Sequence, residues 1–239
     1  MWRSISLILS LFVCWQFSLQ PLGAQERTAK LAHSLTPNSP IGIAAENFKE
    51  VVRQKMSAKL SILVYPQGQL GRGSQVIREV LIGTIEFAIV PTSMIEAMSP
   101  SVALYHSPFA FRSASEVLAA QRSPFGNGVL SVLARSKLIG LSYLNAGFFH
   151  FWAKQPILEP SQLKGLRFGV SGPHDGRFSH VLSRLGAQPS RASLSSFVRP
   201  SGPGVDAAES SPALSAISRM YEVLPSVTLT RHRADPGSS

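Results

Sequence analysis

Two periodicities of apolar residues take turns along the chain. Ala29 to Ser34 has the character of a strand, Thr36-Pro37-Asn38-Ser39-Pro40 is a turn able to cap a helix, and Ile41, Ala44, Ala45, Phe48, Val51, Val52 and Met56 recur at helical spacing. Lys59 to Tyr65 begins as an alternating strand and stops at Pro66. The unit then repeats, with Gly68 to Gly73 as a loop, Ser74 to Ile82 as a short helix and Ile85 to Val90 as an apolar strand ended by Pro91. Strand, helix, strand order of this kind predicts a largely parallel sheet covered by helices.

Further along, Ser113-x-x-Glu116 has the form of a capping box and predicts a helix reaching Arg122, and Val129 to Arg135 predicts another. Ile139 to Asn145, Phe149 to Trp152 and Arg167 to Val170 are strand candidates. Arg177 to Leu185 and Ala213 to Leu224 are amphipathic and helical in spacing, and Val227 to Leu229 is a short strand. Between the last two helices, Pro200-Ser201-Gly202-Pro203-Gly204 excludes regular helix. The tail Ala234 to Ser239 reads as disordered, and no solenoid-type repeat is present.

The first 24 residues change the picture. Arg3, the apolar stretch Ile5 to Phe17 and the small-residue site Leu22-Gly23-Ala24 read as an export signal cleaved after Ala24. The stretch is interrupted by Ser6, Ser10 and Gln16, and no later segment is apolar for the roughly 18–20 residues a spanning helix needs, so the mature protein is expected to be soluble and exported. The only cysteine, Cys14, goes with the signal, which leaves no disulfide, thiol nucleophile or cysteine metal site.

A formal charge of +10 would suit an anionic partner, but the basic residues are dispersed and the densest run is Arg231-His232-Arg233. Dispersion and export argue against nucleic acid and leave a small anion or plain solubility. Enzyme signatures are weak: there is no Gly-x-Ser-x-Gly elbow, His174, Asp175 and His180 lack a metal-ligand spacing, and Gly68 to Gly73 has neither dinucleotide-binding order nor a Walker lysine. No metal site or cofactor is assigned. Thr92-Ser93 stands out because it follows an apolar strand, where ligands of parallel sheets collect, although simple helix capping explains it equally.

Several segments in order resemble the extracytoplasmic solute-binding subunits of TRAP transporters. They are Phe48-Lys49-Glu50, the run Leu60 to Leu70 ending in VYPQGQL, Gly83 to Ala88, Ser107-Pro108-Phe109-Ala110-Phe111, Leu163 to Arg167, Leu185 to Pro189, and Val205 to Glu209 preceding Pro212. The resemblance implies a two-lobed, periplasmic-binding-protein-like α/β fold with a cleft that closes on an organic anion of the carboxylate class. The partner it implies is a TRAP membrane permease. On this reading residues 25–146 form lobe one, 147–225 lobe two, 226–233 a return to lobe one and 234–239 a free tail.

The resemblance also shows departures. The family's carboxylate-binding arginine corresponds to Gly169, a second basic position to Phe149, and a polar asparagine to Ser211. Arg167 would share a strand face with Gly169 and could take over the missing charge; the alternative is a solvent-facing residue, with Arg177 a further candidate. Thr92, Ser93, Asn145, Phe149, Arg167, Gly169 and Ser211 are therefore the expected ligand-binding positions. Family members continue well past the Leu229 to His232 segment, so the fold is expected to be incomplete at its C-terminus. A non-functional fragment and a secreted hydrolase are the competing readings.

Overall fold

The computed structural model describes residues 27–56, 59–145, 147–170, 175–191, 204–234 and 237–238. The expected leader and the segment Pro200 to Pro203 lie outside these residues. The structure is built on two sheets. The first uses β1 (Arg27–His33), β2 (Leu60–Tyr65) and β3 (Phe87–Pro91), with β2 and β3 each parallel to β1. Both its faces are covered: Ala29 and Leu31 pack with Ala45 and Ile62, whereas Ala32 turns the other way to Val76 and Ile85.

The covering helices form where the local signals place them. In α1 (Pro40–Lys55), Ser39 Oγ accepts the Gly42 N–H at 3.0 Å, Pro40 opens the first turn, and Arg53 and Lys55 lie in the last turn, where positive charge suits the helix dipole. Gly42 fits here because a Cβ would sit 2.3 Å from the Pro37 carbonyl oxygen. Helix α2 (Ser74–Leu81) follows the glycine-rich loop. In α3 (Ala114–Arg122), Ser113 Oγ accepts the Glu116 N–H as the capping pattern predicts, but the Glu116 carboxylate reaches back one residue further, to the Arg112 N–H at 2.7 Å. The helix predicted over 129–135 is the second half of α4 (Pro124–Val132) with a 3₁₀ turn after it, opened by Ser123 and Pro124.

Residues 139–145, read as a strand, do not join a sheet. Ile139 is 83% exposed and Leu141 is exposed too, so the alternation buries neither; Tyr143 anchors the segment by donating its O–H to the Gly126 carbonyl at 2.9 Å. The second sheet contains β4 (Phe148–Ala153), β5 (Arg167–Val170), β6 (Gln188–Arg191), β7 (Ala207–Ser210) and β8 (Ser226–Ala234), in the order β6-β5-β7-β4-β8. Strands β5, β6 and β7 are parallel, and β4 runs against β7 and β8. Helix α5 (Asp175–Arg184) covers one face through Phe178 and Leu182, packed with Phe168, Val170 and Ala207. The helix expected over 213–224 is split into α6 (Pro212–Ser218) and a 3₁₀ turn over Met220–Glu222 by Arg219, whose φ of 55° breaks the helix.

The last strand corrects two expectations. Residues 226–233 do not return to the first sheet: β8 pairs with β4 in the second. The tail is not free from Ala234 onward either, because Ala234 is buried beside Val117 and Phe148, and β9 (Gly237–Ser238) pairs antiparallel with Pro91 and Val90 of β3. The β4–β8 ladder slips between Phe149 paired with Arg233 and Phe151 paired with Thr228, and Arg231 in the slipped stretch has a φ of 46°.

Phe168 is fully buried, and its ring meets Phe151 edge-on at 5.1 Å. Phe168→Ala is expected to lower the free energy of unfolding by about 3–5 kcal/mol, read as a fall in urea midpoint.

Candidate functional site

Strand direction decides which residues can share a cleft. In the first sheet the carboxyl ends of the parallel strands are His33, Tyr65 and Pro91, the last followed directly by Thr92. In the second they are Val170 and Ser210, and β4, being antiparallel, brings its beginning to the same edge: His150 pairs with Ser210 and Phe149 with Arg233. The chain passes from Arg233 to Gly237, which pairs with Pro91, in four residues; that caps the separation at about 14 Å. The carboxyl edges of the two sheets therefore face one junction, where ligands of open α/β sheets collect.

Most of the expected positions lie at or near this edge. Thr92 is buried, and its hydroxyl lies 2.8 Å from His106 Nε2. Ser93, beside it, is half-buried in a four-residue 3₁₀ turn. Asn145, exposed just ahead of β4, accepts the Gly147 N–H with its side-chain oxygen at 2.9 Å. Gly169 is buried between Ser190 of β6 and Ala208 of β7. Ser211 is buried as the cap of α6, its hydroxyl oxygen taking the Leu214 N–H at 3.4 Å.

Arg167 behaves differently. It opens β5, at the far edge, where its Nε and Nη2 each donate to the Asp206 carboxylate at 2.9 Å and Lys154 adds a third contact at 3.0 Å. These donors hold Asp206 well below the usual carboxylate range, the Arg167 hydrogen bond most of all. With its side chain 51% exposed, Arg167 is a surface ion-pair residue on the opposite edge of the sheet. Sharing a face with Gly169 does not bring it to the junction. Arg177 falls in the first turn of α5, and its side chain lies outside the described set.

The junction holds a polar cluster that the expected positions did not include. Glu209, fully buried in β7, accepts Arg233 Nε at 2.9 Å and Nη2 at 2.7 Å, and His232 Nε2 lies 3.0 Å from the same carboxylate. On the other side of the imidazole, Nδ1 lies 2.7 Å from the Thr230 hydroxyl. A neutral ring satisfies both contacts, with Nε2–H donating to Glu209 and Nδ1 accepting from Thr230. The ring stacks on Phe178 at 4.8 Å, and the Arg233 guanidinium lies over Phe149 at 3.9 Å. The Phe109 N–H donates to the His232 carbonyl at 2.6 Å, tying the loop after the first sheet to β8.

Two consecutive residues of a regular strand point to opposite faces, so His232 and Arg233 could not both reach Glu209 without the slipped register at Arg231. Glu209 was visible in the Val205 to Glu209 segment. Its partners were not, because Arg231-His232-Arg233 has the composition of a solvated basic run. Among the described residues no group of three or more histidines, cysteines and acids could hold a metal ion, and no helix is long and apolar enough to cross a membrane.

Comparison with known proteins assigns this architecture. The family model for bacterial extracellular solute-binding protein, family 7, matches residues 31–237. The chain belongs to that family. Among relatives of this family-7 chain, the C4-dicarboxylate-binding protein DctB of Bacillus subtilis (strain 168) is 28% identical over 207 residues, covering 85% of this chain and 58% of the relative. The C4-dicarboxylate-binding periplasmic protein DctP of Shewanella loihica is 27% identical over 141 residues, covering 59% and 42%. The chain thus spans about half the length of these curated relatives.

Solved structures match the two-lobed α/β fold. A TRAP periplasmic solute-binding protein from Pseudomonas aeruginosa with bound L-malate superposes with a TM-score of 0.80 at 21% identity, covering 89% of this chain and 74% of that one. The sugar acid binding protein DctPAm of Advenella mimigardefordensis, in complex with galactonate, gives 0.79 at 25% identity, covering 89% and 69%.

Glu209→Ala would leave the Arg233 charge without its partner, and is expected to destabilise the protein by about 3–5 kcal/mol in a denaturant melt. A pH dependence follows from the histidines. Burial holds His33, His150 and His232 below their ordinary value of 6.5; Glu46 opposes this at His33 and Glu209 at His232, whereas His232 and Arg231 add to it at His150 and Arg233 adds to it at His232. Below pH 6.5 the unfolded chain therefore binds more protons than the folded one, and stability falls as the pH is lowered. The urea midpoint at about pH 5 is expected to lie below that at about pH 7.5, with a shallower slope in His232→Gln.

Proposed function

We propose that this family-7 protein is exported by the leader over residues 1–24, captures a small organic anion of the carboxylate class in the periplasm and delivers it to a TRAP-type membrane permease. The observation that carries the proposal is the meeting of the carboxyl edges of both sheets at one junction, with β8 and β9 linking them. A ligand held there touches both lobes, and its capture is coupled to how they sit against each other. The names of the related proteins, which include C4-dicarboxylate-binding and sugar acid binding proteins, support the carboxylate class. The formal charge of +10 favours an anion. Function on this reading is reversible binding without bond-making chemistry. Lobe one comprises mainly residues 25–146 and lobe two mainly 147–225 together with β8, with 237–238 as the return.

The test is calorimetric titration and thermal melting of the chain from residue 25 onward with succinate, L-malate, D-galacturonate and galactonate. At least one acid is expected to give saturable heat and to raise the melting temperature, since ligand at about 100 times its dissociation constant adds about 2.7 kcal/mol of stability. Absence of binding by all four would refute the reading.

A further inference from the structure

We propose that Arg233 is the anion-recognising group of this site, held by Glu209 so that the outer edge of its guanidinium receives a ligand carboxylate. A guanidinium has two edges that match a carboxylate. Glu209 occupies the side-on edge, through Nε at 2.9 Å and Nη2 at 2.7 Å. The end-on edge, formed by Nη1 and the second Nη2 hydrogen, remains: Nη1 makes no hydrogen bond among the described residues, and the side chain keeps 14% of its surface accessible. The Phe149 ring, 3.9 Å from the guanidinium carbon, covers one face and fixes the plane of the fork. Glu209 is also held by His232, whose Nε2 contacts the Oε2 that accepts Arg233 Nε, so the guanidinium is oriented before a ligand arrives.

Position also supports this role. Arg233 pairs in register with Phe149, the residue that stands where the resemblance puts a basic side chain. A cation therefore occupies the space above position 149 although it is carried by the neighbouring strand. Arg167, the residue nearest in sequence to the other absent arginine, is committed to Asp206 at the opposite edge. The carboxyl-edge position of Arg233, four residues before the Gly237–Pro91 pairing, places its charge at the junction of the sheets.

This inference rests on the solute-binding reading, and the experiment separates the two. The chain from residue 25 onward and its Arg233→Lys variant are titrated with succinate, L-malate, D-galacturonate and galactonate, and with an amide analogue of whichever acid binds. Because Glu209 left unpaired could prevent folding, the double variant Glu209→Gln/Arg233→Gln, which keeps a neutral hydrogen-bonding pair, is measured alongside, with a denaturant melt for each protein. The wild type is expected to bind an acid at least about tenfold more tightly than its amide. Arg233→Lys should weaken acid binding by at least about tenfold, and in the double variant the preference for acid over amide should collapse, a change that a merely structural role would not produce. Unchanged acid affinity and preference in the folded double variant would overturn the assignment of Arg233 while leaving solute binding intact. A wild type that binds none of the four acids would refute the solute-binding reading, and this inference with it.

Discussion

A buried carboxylate is among the most costly groups a fold can contain unless it is paired, and Glu209 is fully buried in the central strand of the second sheet. Among the described residues its side-chain partners both come from β8: the Arg233 guanidinium supplies the opposite charge and the His232 imidazole, on the preceding residue, a further hydrogen bond. That requirement explains features that would otherwise look unrelated. β8 must lie near β7 although β4 stands between them, its register must slip at Arg231, and it must continue past the point where its apolar alternation ends. The aromatic rings of Phe149, Phe151 and Phe178 then exclude water from the charged groups, which strengthens each contact and raises the cost of breaking one.

The strand that satisfies this buried charge also joins the two sheets. The His232 carbonyl accepts from Phe109, Ala234 packs with Val117 and Phe148, and the chain reaches β3 within three residues of Ala234. Local stability of the second sheet and placement of the first are therefore not independent.

What could be read from the chain beforehand follows the range of the forces involved. Ser39-Pro40 and Ser113 to Glu116 are contained in a few residues, and the helices they open begin within one residue of the expected place. Strands β1, β2 and β3 of the first sheet were legible for the same reason, since each has apolar residues for both faces. Residues 139–145 carry a strand-like alternation, but alternation does not say that a partner strand exists, and here none buries Ile139 or Leu141. Arg231 to Arg233 stood out only as the densest basic run, because the acid that draws two of these residues inward is more than twenty positions away. Arg167 shows the converse: parity along a strand gives its face correctly, but which edge of the sheet it meets depends on Asp206, 39 residues distant.

The cross-strand pairing of Phe149 with Arg233 has an evolutionary consequence. Two side chains that face each other across a ladder can exchange roles, a charge passing from one strand to the other while the space it fills stays the same. Descent read column by column would record one position losing its basic residue and a distant position gaining one, as two unrelated events. In three dimensions such a pair of changes would be a single substitution spread over two strands, so sites related in this way are matched by location rather than by alignment.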